Sequence, residues 1–338
     1  MTIQENVSLK PFNTFGIDAK ARYFLEVKNK KEIIEALYEK KFSFNKRLIL
    51  GGGSNLLFTK DFDGVVIKVN IKGIKKIKEN DDFVWIKAGS GENWHDLVLF
   101  AIENKLGGIE NLSLIPGSVG AAPLQNIGAY GVELKDTIHE VKALNIPNSE
   151  IHVFDKYDCR FGYRDSIFKN EAKDKYVILS ITLKLSKKPT YHVEYGAIKD
   201  TLAQNNITEL SVKAISDAVI SIRQSKLPNP KEIGNAGSFF KNPEINIKLF
   251  NIIKAENPDI PSYPINEQLV KVPAGWLIEK AGWKGFRKGE IGVHAKQALV
   301  LVNYGNGTGL EIKNLSEKIQ KSILEKFGVK LEAEVNFV

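Results

Sequence analysis

A chain of 338 residues, 43% hydrophobic and 26% charged, is too long and too evenly mixed for a disulfide miniprotein or a disordered tail, and predicts two or three compact units. Its formal charge is +8, yet only six of its 48 basic residues are arginine (Arg22, Arg47, Arg160, Arg164, Arg223, Arg287). Lysine lacks the two-pronged fork that most often reads bases and phosphates, so the composition argues against nucleic-acid specialisation.

The single cysteine, Cys159, excludes an intrachain disulfide, a four-cysteine zinc site and a self-ligated iron–sulfur cluster, and suits a reducing cytoplasm. The N-terminus MTIQENVSLKPFNTFG has no basic start followed by an apolar run. No stretch of about 18 apolar residues occurs either, so neither a signal peptide nor membrane insertion is expected.

The run RLILGGGSNLLF (47–58) reads as a strand, a tight glycine loop and a second apolar element, followed by strands at 64–69 and 83–89. Residues 92–106 carry Trp94, Leu97, Val98, Ala101, Ile102 and Leu106 at helical spacing. The glycine-dense stretch 107–131 cannot form one long regular element and predicts backbone wrapped closely around a ligand. Strands follow at 136–146, 149–155 and 175–186, the last with the alternation of a half-buried antiparallel strand. A helix over 211–226 is stopped by Leu-Pro-Asn-Pro, after which a second domain is expected. Residues 189–215 read as the join. A helix at 274–282, a strand and turn at 298–309, a long helix at 310–328 and a terminal strand at 330–338 complete the chain.

Neither G-x-G-x-x-G nor the P-loop signature is present. Gly51, Gly52 and Gly53 instead precede Ser54 and Asn55, and Pro116, Gly117, Ser118, Val119 and Gly120 form a second small, amide-rich cluster. Two such clusters suit a long diphosphate cofactor; the alternative is a pair of plain glycine turns. Arg164, in CRFGYRDSIFK, offers a planar fork for a carboxylate or a structural ion pair with Asp165 or Asp158. Ser238, between glycine-rich backbone and two phenylalanines, reads as a proton donor in a partly dry pocket or as a helix N-cap. Glu332 and Glu334 would share one face of a strand. The five histidines have no metal-ligand spacing, so no bound metal is expected.

Taken together, NTFGIDAKARYF, ILGGGSNLLF, IPGSVGAAPLQNIGAYGVEL, FGYRDSIFK, KLPNP, GNAGSFFKNP, AGWLIEKAGWKG, HAKQALVLVN and LEAEVNF stand in the order found in one family. The chain resembles the UDP-N-acetylenolpyruvoylglucosamine reductases, in their longer form. The resemblance implies an α+β fold: a vanillyl-alcohol-oxidase/PCMH-type FAD-binding region of two subdomains plus a C-terminal α+β substrate domain. The implied boundaries are 1–70, 71–225 and 226–329, with the terminal strand at about 330–338 returning to the first subdomain or the active site.

It also implies noncovalent FAD, with NADPH as transient hydride donor, and reduction of UDP-N-acetylglucosamine enolpyruvate to UDP-N-acetylmuramate for peptidoglycan synthesis. The two glycine clusters, with Asn126, Ile127, Gly128 and Ala129, would hold the cofactor. Ser238 would deliver the proton, and Arg164 and Glu334 would stabilise the intermediate, Glu332 being the weaker match. Tyr130, Tyr195, Arg223, Lys226, Asn242 and Gln297 would bind the sugar nucleotide. NADPH and substrate would share one cleft, which the YHVEYG segment (191–196) closes, in a cytoplasmic monomer.

Overall fold

The computed structural model describes residues 1–43, 45–195 and 197–338, which fall into two units. Unit 1 comprises Met1–Val7, Ala21–Gly52 and Asp63–Ser225; unit 2 comprises Ser8–Lys20, Gly53–Phe62 and Lys226–Val338. Both are discontinuous in sequence.

Unit 1 is built on two sheets. The first contains β1 (Gln4–Ser8), β2 (Lys20–Val27), β3 (Lys46–Leu50) and β4 (Phe62–Val69), in the order β1-β2-β4-β3. β3 runs parallel to β4 with Leu50 opposite Lys68, so the glycine loop leaves from the shared C-terminal end of the pair. Helix α1 (Lys30–Tyr38), capped by the Asn29 side chain, buries Ile33, Ala36 and Leu37 against Leu25, Val27, Val65 and Ile67. Each such aliphatic burial contributes about 1.5–3 kcal/mol.

The second sheet contains β5 (Ile74–Glu79), β6 (Phe83–Gly89), β7 (Ile138–Asn145), β8 (Ile151–Asp155) and β9 (Tyr176–Ser186), ordered β8-β7-β9-β6-β5 and antiparallel throughout. β9 is not the half-buried strand expected. Val177 and Leu179 enter the core shared with the first sheet, while Ile178, Ile181, Leu183 and Leu185 enter a second core, and only Lys184 is exposed. A central strand with apolar cores on both sides has no solvent face, and alternation alone does not reveal that.

Helix α2 (Trp94–Glu103) starts where the Asn93 side chain accepts from the His95 and Asp96 amides, at 2.8 and 3.3 Å. It buries Trp94, Leu97, Val98 and Ala101, and the Trp94 indole donates to the Leu112 carbonyl at 3.0 Å. The glycine-dense stretch contains short 3-10 turns at Glu110–Leu112 and Val119–Gln125 rather than a long element. Cys159 is a core thiol, its pKa pushed up to about 12 chiefly by burial.

The expected join at 189–215 is instead packed structure. Helices α3 (Ile198–Gln204) and α4 (Val212–Lys226) bring Ile198, Leu202, Ile215, Val219 and Ile222 into a third cluster, against which Tyr130 and Tyr191 pack.

Unit 2 has a four-stranded sheet of β10 (Gly234–Asn235), β11 (Arg287–Lys288), β12 (Ile291–Val293) and β13 (Leu301–Asn303), ordered β10-β13-β12-β11. Beside it stand α5 (Ile247–Glu256), α6 (Ala274–Lys280) and α7 (Gly309–Phe327). α7 opens with a capping box between Thr308 and Glu311 and closes at Gly328, whose φ of 66° is one that glycine adopts without strain. The terminal segment is a strand only at Asn336–Phe337, which pairs in parallel with Leu56–Leu57. Further back, Ala333 bridges Phe240. Among the described residues no helix is long and apolar enough to cross a membrane.

Candidate active site

Three loops of unit 1 meet without room for side chains. A Cβ built on Gly52 would stand 2.6 Å from the Gly117 Cα and 2.9 Å from the Ser118 amide nitrogen; one on Gly51 would stand 2.5 Å from the Ser118 hydroxyl. A Cβ on Gly120 would meet that of Ser90 at 2.5 Å, and the Gly120 amide donates to the Ser90 carbonyl at 2.9 Å. Both hydroxyls, Ser90 Oγ and Ser118 Oγ, are buried without a hydrogen-bond partner among the described residues. A buried unpaired hydroxyl is costly, and two of them where glycines bring backbones together make a cradle awaiting an acceptor-rich ligand.

Unit 1 also contains a cationic cluster. Arg164 occupies a tight turn in which Gly162 and Asp165 exchange backbone hydrogen bonds at 3.0 and 3.3 Å, and its φ is 53°. Such a conformation is uncommon for a side-chain-bearing residue and is held only where the surroundings impose it. The carboxylates considered as its ion-pair partners are engaged elsewhere, Asp165 by the Asn170 amide at 3.0 Å and Asp158 by the Asp155 backbone at 3.0 Å. Arg223, on α4, is pushed below its usual pKa by burial and by the charge of Arg164, with Tyr130 acting in the opposite sense. Its Nε has no partner among the described residues. Burial raises the Tyr130 pKa, and lowers that of His95, whose Nδ1 accepts the Leu114 amide at 3.0 Å. Two guanidiniums in electrostatic reach, flanked by a neutral phenol and a neutral imidazole, can receive an anion.

The remaining candidates of unit 1 differ in what they can offer. Asn126, fully buried with φ 44°, donates to Glu133 and Gly162 at 3.1 and 3.0 Å and accepts from Lys135 at 3.0 Å. Its side chain is committed to holding the turn that carries Arg164. Ile127 is buried, while Gly128 and Ala129 pair with Glu133 and Val132. Pro116 is exposed and Val119 buried. Tyr195 is half exposed, beside Gly131, and Gly196 of its segment lies outside the described residues.

In unit 2 the Glu334 amide donates to the Phe239 carbonyl at 2.8 Å, which sets Glu334 next to the residue that follows Ser238. Ser238 is exposed in irregular backbone between the buried Asn235 and Phe239, so it is neither a helix cap nor in a dry pocket. Glu332 and Glu334 do not share an environment. Glu332 is exposed and paired with Lys241 at 3.4 Å, whereas Glu334 is buried. Asn55 donates from its side chain to the Glu334 carbonyl at 3.1 Å, so the loop of Gly53, Ser54 and Asn55 is knitted to the terminal segment. Gly53, at φ 65°, has no room for a Cβ against the Phe12 carbonyl. Asn242 accepts the Ala274 amide at 3.0 Å, and the Gln297 carbonyl oxygen lies against Gly275, so both stand at the start of α6. Lys226 is exposed.

Residues 229–338 match the model described as UDP-N-acetylenolpyruvoylglucosamine reductase, C-terminal domain, and residues 21–155 match that of an FAD binding domain. The UDP-N-acetylenolpyruvoylglucosamine reductase of Flavobacterium johnsoniae is 55% identical over 339 residues, and that of Amoebophilus asiaticus 51% over 338, each match spanning 100% of both chains. The chain belongs to the UDP-N-acetylenolpyruvoylglucosamine reductase family. The solved structure of the Thermus caldophilus member, 23% identical, superposes with a TM-score of 0.68 over 100% of this chain and 99% of its own, which establishes the common fold. The reductase family's architecture, a PCMH-type FAD-binding region followed by the C-terminal domain, is therefore the architecture expected from the motifs.

The loops of unit 1 fit FAD on their own chemistry: glycines let three backbones converge, which brings amides together for a diphosphate, and Ser90 and Ser118 have hydroxyls to donate. Ser90 was missed in the sequence because its loop, Gly89-Ser90-Gly91, lies far along the chain from Gly120; the flanking glycines were the available signal. His95 was weighed only as a metal ligand. Among the described residues, no group of three or more His, Cys, Asp or Glu is placed to hold a metal ion.

Gly52→Ala tests the reductase cradle. The added methyl meets the Gly117–Ser118 backbone, so the two loops must part at a cost of about 1–3 kcal/mol. FAD titrated into the apoprotein, followed by flavin fluorescence quenching, should bind about tenfold or more weakly; an unchanged Kd would remove Gly52 from the cofactor site.

Proposed function

We propose that the protein reduces UDP-N-acetylglucosamine enolpyruvate to UDP-N-acetylmuramate at the expense of NADPH, in peptidoglycan precursor synthesis. Bound FAD supplies the chemistry of accepting hydride from NADPH and passing it to C3 of the enolpyruvyl group. The fork of Arg164 holds the substrate carboxylate and takes up the negative charge that spreads onto it when C2 becomes electron-rich. Ser238 gives its hydroxyl proton to C2, completing addition of one hydride and one proton across the double bond, and regains a proton from solvent. Glu334 supports the enol form of the intermediate.

The observation that carries these assignments is the backbone bond from Glu334 to Phe239, which sets a buried carboxylate beside the segment of Ser238. Arg223 and Tyr130 receive the diphosphate of the sugar nucleotide with Tyr195 and Lys226, and Asn242 and Gln297 bind it through their amides. NADPH enters and leaves by the cleft that the sugar nucleotide then occupies, and the segment around Tyr195 closes on the substrate, excluding water from a carbanion-like intermediate.

FAD is held by Gly51, Gly52, Gly53, Ser54 and Asn55 and by Pro116, Gly117, Ser118, Val119 and Gly120, with Asn126, Ile127, Gly128 and Ala129 at its side. Asn126 would contribute through backbone, its side chain being engaged internally. The separate sheets of unit 1 support a boundary between subdomains near residue 70, with the substrate domain at 226–329. The enzyme works in the cytoplasm as a monomer.

The first check is the cofactor. Purified protein should be yellow and release all its flavin as FAD on acid precipitation; a colourless protein that cannot be reconstituted with FAD would end the proposal.

A further inference from the structure

Beside the cradle stands a lysine that none of these roles uses. Lys68 is the last residue of β4 to pair with β3, opposite Leu50. Its side chain folds over the end of the strand pair, and its ammonium donates to the Gly51 carbonyl. Lys68 is partly buried, flanked in the strand by the buried Ile67 and Val69, and has Glu26 and Lys72 as its charged neighbours. Partly burying an ammonium next to the run Val65, Val66 and Ile67 is costly, and the site would accept a branched aliphatic side chain more readily. What the lysine gains is one bond to one carbonyl.

That carbonyl belongs to the peptide joining Gly51 and Gly52. Across a trans peptide the C=O and the following N–H point in opposite directions, so an anchored Gly51 oxygen turns the Gly52 N–H away from Lys68. Two consecutive glycines have no Cβ to restrict the rotation of that peptide, which would otherwise sample several orientations. We propose that Lys68 is a positioning residue for FAD: by clamping the Gly51 carbonyl it holds the Gly51–Gly52 peptide so that the Gly52 N–H is presented to the flavin diphosphate. The proposal rests on the cradle being the diphosphate site. It adds that the cradle is pre-organised by a side chain from the neighbouring strand, so that the ordering cost is met before the ligand arrives.

The test is FAD titration of apoprotein at low and high ionic strength, with thermal melting of the same samples without flavin. In Lys68→Met the affinity should fall about tenfold or more, the loss expected for a hydrogen bond from a charged donor, with a faster off-rate and an apoprotein melting temperature close to wild type. The deficit should persist at about 1 M salt, where a purely Coulombic contribution is screened. Lys68→Arg, which keeps a donor within reach, should restore most of the affinity. If Lys68→Met does not fold, Lys68→Ile, better suited to the strand, takes its place.

Wild-type affinity in the methionine or isoleucine variant would overturn the proposal, as would a deficit that disappears at high salt or one that arginine does not repair. If wild-type apoprotein itself does not bind FAD, the cradle reading fails, and the role of Lys68 with it.

Discussion

Replacing Ser238 with alanine is expected to leave reduction of the flavin by NADPH near its wild-type rate and to slow reoxidation by the enolpyruvyl substrate on the order of 10³-fold, the range of a positioned general acid. The substitution is structurally mild. Ser238 is exposed, caps no helix, and its hydroxyl has no hydrogen-bond partner among the described residues. The fold around it is held instead by the buried Phe239 and Phe240 and by the Glu334–Phe239 backbone bond, none of which alanine disturbs. A defect confined to the second half-reaction therefore reports proton delivery. Stopped-flow measurement of the two half-reactions separates the cases, and equal damage to both would make Ser238 structural. Ser238→Cys, which keeps a proton on a longer and softer side chain, should recover part of the rate.

Arg164→Lys should cost about 10²-fold in the same half-reaction, comparable to losing one donor to a developing anion. Lysine keeps the charge and meets the same backbone penalty at φ 53°, so the substitution isolates the fork from both. Lys169 donates to the Arg164 carbonyl at 3.1 Å, and the Asn126 side chain donates to Gly162 at 3.0 Å; these contacts hold the turn through backbone and should survive. Turnover within about twofold of wild type would take Arg164 out of the catalytic group.

Much of this organisation was readable from residue order. The strand before Gly51, the helix beginning near Trp94, the glycine-dense stretch without one long regular element and the stop after Lys226 each follow from local chemistry, and each is present. What escaped depends on contacts between distant segments. Strict alternation over 176–186 would put Val177, Leu179, Ile181, Leu183 and Leu185 on one face, but the pairing of β9 with β7 shifts register between Lys142 and Ala143, so Val177 and Leu179 turn to a second core that a sheet made by residues 4–69 supplies. Glu332 and Glu334 look equivalent at a spacing of two, yet one pairs with Lys241 at the surface and the other is buried beside Phe239, which only the bridge between Ala333 and Phe240 could reveal. Positive φ at Tyr130 and Arg164 leaves no trace in residue type, since each adopts it under tertiary constraint, whereas at Asn126 the asparagine itself is compatible with it. Nothing in residue type or spacing marks Lys68 as the lysine whose ammonium donates to the Gly51 carbonyl.

The net charge of +8 now has a specific use. The arginines that matter number two, Arg164 and Arg223, and they stand within electrostatic reach of one another, with Tyr130 partly offsetting the burial of Arg223. An anionic sugar nucleotide is what such a pair would attract, and rate constants for its association should fall as salt rises.

In the proposed reaction electrons pass from NADPH through FAD to an enolpyruvyl sugar nucleotide. Anaerobic reduction of the purified protein with one equivalent of NADPH, followed by UDP-N-acetylglucosamine enolpyruvate, tests it in a single cuvette. The flavin's visible absorption should bleach with NADPH and return on adding the sugar nucleotide, with UDP-N-acetylmuramate formed in equal amount. A flavin that stays reduced until air is admitted would contradict it.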